Sequence, residues 1–269
     1  MSPYVPFVPT PMDVAERMLE LAGVTEEDVV YDLGCGDGRI VILAAKKFGA
    51  RAVGVEIDPE LLWEAERNAR KEGVEDRVTF LYQDALKVDL SGATVVALFL
   101  LPKLNRMLRP KLLAELKPGA RVVSHDFDMG SWEPDKFEEV KGEDGGTHRL
   151  YLWRIKRPAK VAGRWRWTER GPWGKEEFVL ELEQHGGAIE GMLFDRGGAQ
   201  AAIRDSFVSG RRIHFVASLR DGKIYVKRFF WGTAAGDRIE GTVEVRRGGG
   251  ARVLPWRARR VKRWGGQLP

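Results

Sequence analysis

The 269-residue sequence is almost without cysteine, since Cys35 is the only one. A disulfide framework is therefore excluded, and the chain fits a reducing compartment. Long hydrophobic runs are also lacking: the most apolar stretch, residues 93–102, is far too short to span a bilayer. The first residues contain no basic segment followed by an apolar run, so we expect no secretory signal. These absences predict a soluble, cytoplasmic protein without a membrane partner.

Amide side chains and, in one region, acidic side chains are scarce. Two asparagines and four glutamines beside many arginines and glutamates predict a thermophilic source. Residues 1–150 carry 19 basic and 27 acidic side chains, a net charge of −8, whereas residues 151–269 carry 25 basic and 12 acidic, a net charge of +13. Seven of the nine tryptophans lie from Trp153 onward. The shift predicts a boundary near residue 157, with domains at 1–157 and 158–269.

One stretch places three glycines at alternate positions directly after an apolar run. Residues 29–31 lead into Asp32, and the glycines follow at Gly34, Gly36 and Gly38. The pattern predicts a strand, a tight turn and a helix N-terminus, the arrangement by which open α/β sheets bind nucleotide-like ligands. Glycine is needed because a Cβ would block positive φ and keep the ligand from the backbone. A dinucleotide fingerprint would need a glycine at position 39, where the chain has Arg39.

A second acid lies at the distance expected for the same ligand. Residues 51–56 alternate like a buried strand and end in Glu56, about twenty residues beyond the glycine turn, where a carboxylate reaches ribose hydroxyls. The competing interpretation makes Asp32 a turn cap and Glu56 a solvated strand end. Two independent features that agree on one geometry favour the ligand site.

The combination D-x-G-x-G-x-G resembles motif I of the class I S-adenosylmethionine-dependent methyltransferases. The resemblance implies an α/β, Rossmann-like, seven-stranded sheet, S-adenosyl-L-methionine as cofactor, and a role for Asp32 in holding its methionine end. It also implies that Asp84 accepts a hydrogen bond from the adenine amino group, although a turn-capping Asp is the competing explanation. The predicted cofactor-binding residues are Asp32, Gly34, Gly36, Gly38, Glu56, Ile57, Asp84, Ala85, Leu100, Pro9 and Thr10.

The remaining elements of the first domain complete such a sheet. The apolar run at residues 94–101 predicts a central parallel strand. Further strands are predicted at residues 77–82, 119–128, 136–141 and 148–155. Together they predict five parallel strands and a closing antiparallel hairpin. Residues 103–116 have a helical pattern that we expect to break near Arg109, because Pro110 follows.

The proline-rich beginning of the chain predicts an extended arm. Thr10 is the predicted N-cap, and Pro11 the first residue, of the helix that follows. The arm has two interpretations, a lid over the cofactor and a surface-packed arm without ligand contact.

Five segments narrow the resemblance to a subgroup. They are residues 4–11, 99–105, 108–113, 117–119 and 124–127. In these segments the chain is similar to the archaeal broad-specificity protein lysine methyltransferases and their mitochondrial relatives. The similarity covers residues 1–157 and implies a protein substrate methylated on lysine. The resemblance also implies a methyl-acceptor pocket at the end of the central strand, at Leu100, Leu101 and Pro102.

A lysine acceptor must lose a proton before it attacks, because its free pKa is about 10.4. Asp126, His125 and Asp128 lie at the end of a predicted strand and are the available acceptors. A purely structural role at the strand end is the competing explanation. Tyr4 is predicted to lie over the same site. We therefore predict Asp126, His125 and Tyr4 as catalytic residues and no metal ligand. The lack of a D-P-P-Y or N-P-P-Y motif argues against amide or adenine-N6 methylation.

The second domain has short strand patterns separated by glycine turns. Eight strands are predicted, at residues 161–168, 177–184, 188–195, 201–208, 211–219, 223–231, 238–246 and 252–261. An up-and-down antiparallel barrel would remove their open edges. Trp165 and the W-R-A-R run at residues 256–259 resemble the calycin pattern, in which an arginine of the last strand covers a first-strand tryptophan.

Three functions follow from these features. The first is a protein lysine N-methyltransferase with an appended barrel. The second is a methyltransferase acting on RNA or a small molecule that the basic, tryptophan-rich barrel presents. The third is a non-catalytic S-adenosylmethionine-binding or sensing protein. The intact glycine turn and Glu56 favour catalysis, and in a small barrel most tryptophans belong to the core; the oligomeric state is left open.

Overall fold

The computed structural model describes residues 7–171 and 174–261, so the predicted catalytic residue Tyr4 lies outside the described residues. The chain divides into two units, Met1–Ile155 and Lys156–Pro269. Within the described part of the chain, no helix is long and apolar enough to cross a membrane.

From residue 7 onward, the first unit is a seven-stranded mixed sheet with four helices. The helices are α1 (Met12–Ala22), α2 (Arg39–Phe48), α3 (Pro59–Glu72) and α4 (Pro102–Glu115). The strands are β1 (Val29–Leu33), β2 (Arg51–Glu56), β3 (Val78–Tyr82), β4 (Val95–Leu98), β5 (Arg121–His125), β6 (Lys136–Lys141) and β7 (Thr147–Arg154). Their order is β3-β2-β1-β4-β5-β7-β6, with β1 to β5 parallel and β7 antiparallel to both neighbours. The predicted methyltransferase sheet is confirmed.

Local sequence explains how this sheet is built. Every residue of β4 is buried, as expected for a strand covered on both faces. The Asp58 carboxylate accepts hydrogen bonds from the first-turn amides of α3, and Gly73 ends that helix in the left-handed conformation. Because the strands are parallel, the carboxyl ends of β1, β2, β4 and β5 meet at one edge of the sheet.

Two predictions about helices in this unit were wrong. Helix α1 begins at Met12 without a side-chain cap, because the Thr10 hydroxyl is hydrogen-bonded to His125 instead (Oγ1 to Nδ1, 3.1 Å). Helix α4 continues through Pro110. Leu108 and Leu112 are fully buried on either side of the proline, and their packing outweighs the single hydrogen bond that proline removes.

The second unit is an antiparallel barrel. Its strands are β8 (Gly163–Gly171), β9 (Gly174–His185), β10 (Ala188–Asp195), β11 (Gln200–Ala202), β12 (Arg204–Ser209), β13 (Arg212–Asp221), β14 (Ile224–Ala235), β15 (Arg238–Arg247) and β16 (Gly250–Arg260). Strands β11 and β12 flank Ile203 and act as one irregular strand, which pairs with β10 through β11 and with β13 through β12. Since β16 also pairs with β8, eight strands close the barrel, as predicted.

Aromatic side chains fill the barrel. The largest are Trp165, Trp167, Phe178, Phe215, Phe230 and Trp256, none more than 4% exposed. Phe215 stacks on Phe230 at 4.4 Å between ring centroids, and Trp256 meets Phe230 edge-on at 5.0 Å. The interior is a packed core, which agrees with the predicted core location of most tryptophans.

One charged cluster shares this interior. The Arg228 guanidinium, 3% exposed, donates to Glu176 (2.7 Å) and to Glu169 (3.4 Å). The Trp167 indole also donates to Glu169 (3.3 Å). Burial raises the pKa of Glu169, and the charge of Arg228 opposes that rise. The buried carboxylate is therefore matched by a cation.

The arginine–tryptophan contact of the calycin pattern is present, but its arginine lies outside the predicted run, residues 256–259. Arg260 lies 4.3 Å from the Trp165 ring centroid. Its guanidinium also donates to the carbonyl oxygens of Lys160 and Ala162. The predicted run ended one residue before Arg260. Strand alternation puts its own arginines, Arg257 and Arg259, on the exposed face of the barrel.

Candidate active site

The turn between β1 and α2 has the left-handed backbone predicted for its glycines, with φ of 83° at Gly34, 55° at Gly36 and 80° at Gly38. The amides of Gly34 and Cys35 donate to the Val55 carbonyl (2.8 and 3.1 Å), which ties the turn to the end of β2. A Cβ at Gly36 would overlap the ring of Phe7. The turn is thus closed on one side by β2 and on the other by the arm.

Two buried carboxylates lie at this turn. Asp32 is 3% exposed and Glu56 8% exposed. Burial, followed by the charges of Glu56 and Asp37, raises the pKa of Asp32 to about 8. Among the described residues, no basic side chain opposes this rise. A buried carboxyl group whose ionised form has no counter-charge favours a cationic ligand, which would stabilise the carboxylate.

Glu56 organises the loop around it rather than standing in solvent. One of its oxygens accepts from the Gly36 amide (3.0 Å), and the other accepts from the amides of Ile57 (2.7 Å) and Asp58 (3.0 Å). A carboxylate has about four lone-pair sites, so acceptor capacity remains for a hydroxyl donor. The arrangement is compatible with the predicted ribose contact.

The arm runs across the carboxyl edge of the sheet. Phe7 lies over the glycine turn, Pro9 is exposed, and the Thr10 side chain is buried against His125. The Arg39 side chain donates to the Thr10 carbonyl (2.8 Å) and holds the Asp37 carboxylate through three further hydrogen bonds. The described part of the arm, residues 7–11, therefore has the position that a lid requires. Sequence reasoning missed Phe7 and used Arg39 only to reject a dinucleotide site.

The other predicted cofactor residues lie around the same edge. The Gln83 amide donates to the Glu56 carbonyl (3.0 Å), which sets Asp84 and Ala85 beside the end of β2. Asp84 accepts from the Leu86 amide (2.9 Å), as its turn-capping explanation requires. Ile57 is 46% exposed, whereas Leu100 is 8% exposed, with Cδ2 3.0 Å from where a Gly34 Cβ would lie. The adenine role of Asp84 stays a prediction.

A hydrogen-bonded chain starts at Thr10. His125 Nδ1 meets the Thr10 hydroxyl, His125 Nε2 meets His148 Nδ1 (2.9 Å), and His148 Nε2 meets an Asp144 oxygen (3.1 Å). An ionised carboxylate only accepts, so with neutral rings each partner donates toward Asp144. Burial, with a smaller part from His148, lowers the pKa of His125 to about 4. His125 is therefore a neutral, fully engaged ring at pH 7.

Asp126 differs from its neighbour in exposure. It has φ of 59°, an unusual conformation for a residue other than glycine. Its backbone amide donates to the Arg149 carbonyl (2.6 Å), and one side-chain oxygen accepts from the Arg149 amide (2.8 Å). The side chain is 33% exposed, and its second oxygen lies 3.5 Å from His125 Nε2. Asp126 is thus a partly accessible carboxylate at the end of β5, and the exposed Asp128 lies two residues further along the chain.

Helix α4 holds the loop that follows β5. The fully buried Asn105 donates to the carbonyls of Phe127 (3.1 Å) and Asp128 (3.3 Å). Arg109, 3% exposed, donates to the Met129 carbonyl (3.1 Å). Sequence reasoning assigned no role to Asn105 or Arg109, because the carbonyls they bind are twenty or more positions away in the chain.

One further grouping concerns metal binding. Within the described ranges, His125, Asp126 and His148 are the group that offers three potential ligand atoms within 4.8 Å. The hydrogen bonds just described account for these positions, so we assign no metal to them. The expectation of no metal ligand stays a prediction.

The site fits S-adenosyl-L-methionine. A cationic sulfonium and ammonium would match the unpaired Asp32, a ribose would match Glu56, and a backbone free of Cβ atoms lets the ligand approach. The fold and this site together define an S-adenosylmethionine-dependent methyltransferase.

Comparison with known proteins narrows this class. Residues 32–136 match the family model described as the ANTKMT methyltransferase domain. A protein-lysine N-methyltransferase of Saccharolobus islandicus is 54% identical over 155 residues, 57% of this chain and 95% of that protein. An adenine nucleotide translocase lysine N-methyltransferase of Mus musculus is 39% identical over 152 residues, 56% of this chain and 63% of that protein.

A solved methyltransferase structure is also similar to this chain. The RNA methyltransferase from Salinibacter ruber in complex with S-adenosyl-L-homocysteine is 53% identical, with a TM-score of 0.54, and covers 57% of this chain and 97% of that chain. The chain belongs to the S-adenosylmethionine-dependent methyltransferase family that contains the Saccharolobus islandicus enzyme.

Proposed function

We propose that this methyltransferase modifies lysine side chains of proteins. The observation that carries the proposal is the 54% identity over 95% of the length of a protein-lysine N-methyltransferase. The resemblance of the arm and of the segments around β4, α4 and β5 to the same subgroup supports it.

The cofactor supplies an activated methyl group, so the chain itself has to align a neutral amine and keep water away. In this proposal Asp32 and the glycine turn hold the methionine end, Glu56 the ribose, and Asp84, Ala85, Ile57 and Leu100 the adenosine. Pro9 and Thr10 belong to the arm that covers them. Thr10 owes its place to His125 and Arg39.

We assign the proton acceptor to Asp126. A substrate ammonium can reach its carboxylate, which is 33% exposed, whereas His125 is 1% exposed and hydrogen-bonded at both ring nitrogens. A ring whose pKa is about 4 is also a weak base at pH 7. His125 then acts as a positioning residue that orients Thr10 and lies beside Asp126. Tyr4 keeps its predicted catalytic role as part of the proposal.

The test is transfer of a radiolabelled methyl group from the cofactor to a lysate, with and without nuclease treatment. We expect label in protein, found on lysine by mass spectrometry. Asp126→Asn should lower turnover with little change in cofactor affinity, since it keeps the shape and loses the base. Asp76→Ala, an exposed carboxylate in the same unit, is the matched control. Protein label that is absent from lysine would overturn the proposal.

A second candidate substrate is RNA. It is favoured by the 53% identity to the structure described as an RNA methyltransferase. Nuclease-sensitive label in the same experiment would select it, and binding of cofactor without any label would select the sensing alternative. A cytoplasmic location in a thermophilic source, suggested by the single cysteine and the few amides, is part of the proposal.

A further inference from the structure

The outside of the barrel carries an aromatic strip along β14. Tyr225, Lys227, Phe229 and Trp231 are alternate residues, so their side chains share the outer face. Tyr225 is 70% exposed and Trp231 41% exposed, although both have large apolar rings. The barrel interior is already filled by other aromatics, so these rings are not displaced core residues.

Cations flank the aromatic strip. The Lys227 ammonium lies 4.8 Å, and the Arg246 guanidinium 4.5 Å, from the centroid of the Phe229 ring. Lys227 and Arg246 are also directly opposite each other on β14 and β15, a like-charge pair that destabilises a sheet. Glu244 pairs with Arg246, while Lys227 has no acidic partner among the described residues. An anionic ligand would relieve this repulsion.

The charge of the barrel is concentrated on the same side. Residues 211–261, which hold β13 to β16, contain 13 basic and 4 acidic side chains. Residues 156–210, which hold β8 to β12, contain 9 basic and 8 acidic side chains. The positive excess therefore lies on the half of the barrel that carries the aromatic strip and is almost missing from the other half, although one of these cations, Arg228, faces the interior.

We propose that the aromatic strip binds single-stranded RNA. Exposed rings spaced along a strand, with cations between them, are the arrangement on which unpaired bases stack while the phosphates meet Lys and Arg. Tyr225 and Trp231 are the stacking platforms, and Lys227 and the exposed Arg220, opposite Tyr225, are the phosphate contacts. A duplex hides its base faces and would not use the rings.

The neighbouring strand favours RNA over DNA. Exposed Thr242 on β15 is directly opposite Trp231, and its hydroxyl can donate to or accept from a ribose 2′-OH. Every residue of the strip belongs to the second unit, and the inference does not require the methyl acceptor to be protein or RNA.

The test uses the full chain without cofactor and a fluorescein-labelled oligouridine of about 12 nucleotides, followed by anisotropy. Tyr225→Ala should weaken binding about tenfold at about 50 mM salt, and Tyr225→Phe should restore it because stacking needs only the ring. Lys227→Gln should reduce the slope of log K against log salt by about 0.7, the value for one phosphate contact on a single strand. Thermal unfolding checks that each variant is folded.

Trp63→Ala is the matched control. Trp63 is 58% exposed and has Arg67 4.8 Å from its ring, but it lies alone on α3 in the other unit, so its loss should leave the affinity unchanged. Weakening by Trp63→Ala equal to that by Tyr225→Ala would overturn the proposal. So would failure of the oligouridine to bind, equal affinity for duplex RNA or for single-stranded DNA, or displacement by polyglutamate as efficient as by unlabelled oligouridine.

Discussion

Both units bury carboxylates, and the two sites treat them in opposite ways. In the first unit, Asp32 and Glu56 lie at a glycine turn, with no basic side chain of the described chain to neutralise them. In the barrel, Glu169 is equally buried, and Arg228 is buried with it. A buried carboxylate that the fold pairs with a cation is part of the structure, whereas a buried carboxyl group without a counter-charge beside a backbone cradle is suited to a cationic ligand.

The largest predicted effect is on stability, and it comes from removing Arg228, the cation of the paired site in the barrel. Arg228→Met should lower the free energy of unfolding by about 3–5 kcal/mol, because it leaves Glu169 buried without its partner. The double variant with Glu169→Gln should recover most of the loss. Urea denaturation followed by tryptophan fluorescence measures both. Arg166→Met, which removes an exposed pair with Glu177, is the control and should cost much less; equal losses would contradict a structural role for the buried pair.

A buried neutral histidine should make the first unit sensitive to acid. Because the folded pKa of His125 is about 4, below its ordinary 6.5, the unfolded chain binds the proton more readily. This contribution is fully present above pH 6.5 and is lost as the pH falls toward 4, on the order of 3 kcal/mol in all. His125→Gln should flatten this part of the pH profile of unfolding, while His185→Gln, at an exposed site, should not. An unchanged profile in His125→Gln would refute the assignment.

At the unpaired site, the expected loss is in binding. Asp32→Ala should weaken cofactor binding by about 100-fold or more, since the cation then meets no carboxylate. Titration calorimetry gives the affinity, and Asp76→Ala controls for loss of one negative charge from the same unit. Unchanged cofactor affinity in Asp32→Ala would show that Asp32 does not bind the cofactor.

The smallest predicted effect is a pH dependence of cofactor affinity. The pKa of Asp32, about 8 in the free protein, means that a cationic ligand displaces a proton from it near neutral pH. Affinity should therefore rise with pH by up to about tenfold per pH unit below 8 and level off above it. Calorimetry in buffers of different ionisation enthalpy measures the proton release. Asp32→Asn should release none; equal release by both proteins would show that another group titrates.

Much of the fold could be predicted because it depends on local patterns. Alternation and glycine spacing were enough for the five parallel strands with their closing hairpin and for the eight barrel strands, and Asp32 and Glu56 were recognised from their distance along the chain. Thr10 and Pro110 were misjudged because local rules for caps and prolines compete with tertiary contacts, with His125 in one case and with the buried leucines of α4 in the other.

The amino-acid sequence by itself determined the two architectures and the carboxylates of the glycine turn, since periodicity and spacing are properties of the chain. Only the tertiary structure decided that Phe7 closes the turn, that His125 is locked in a chain ending at Asp144, and that Arg228 neutralises Glu169. It also decided which aromatic residues of the barrel face outward. The reason is physical: burial and pairing of charges depend on which distant segments meet, and no local pattern encodes that.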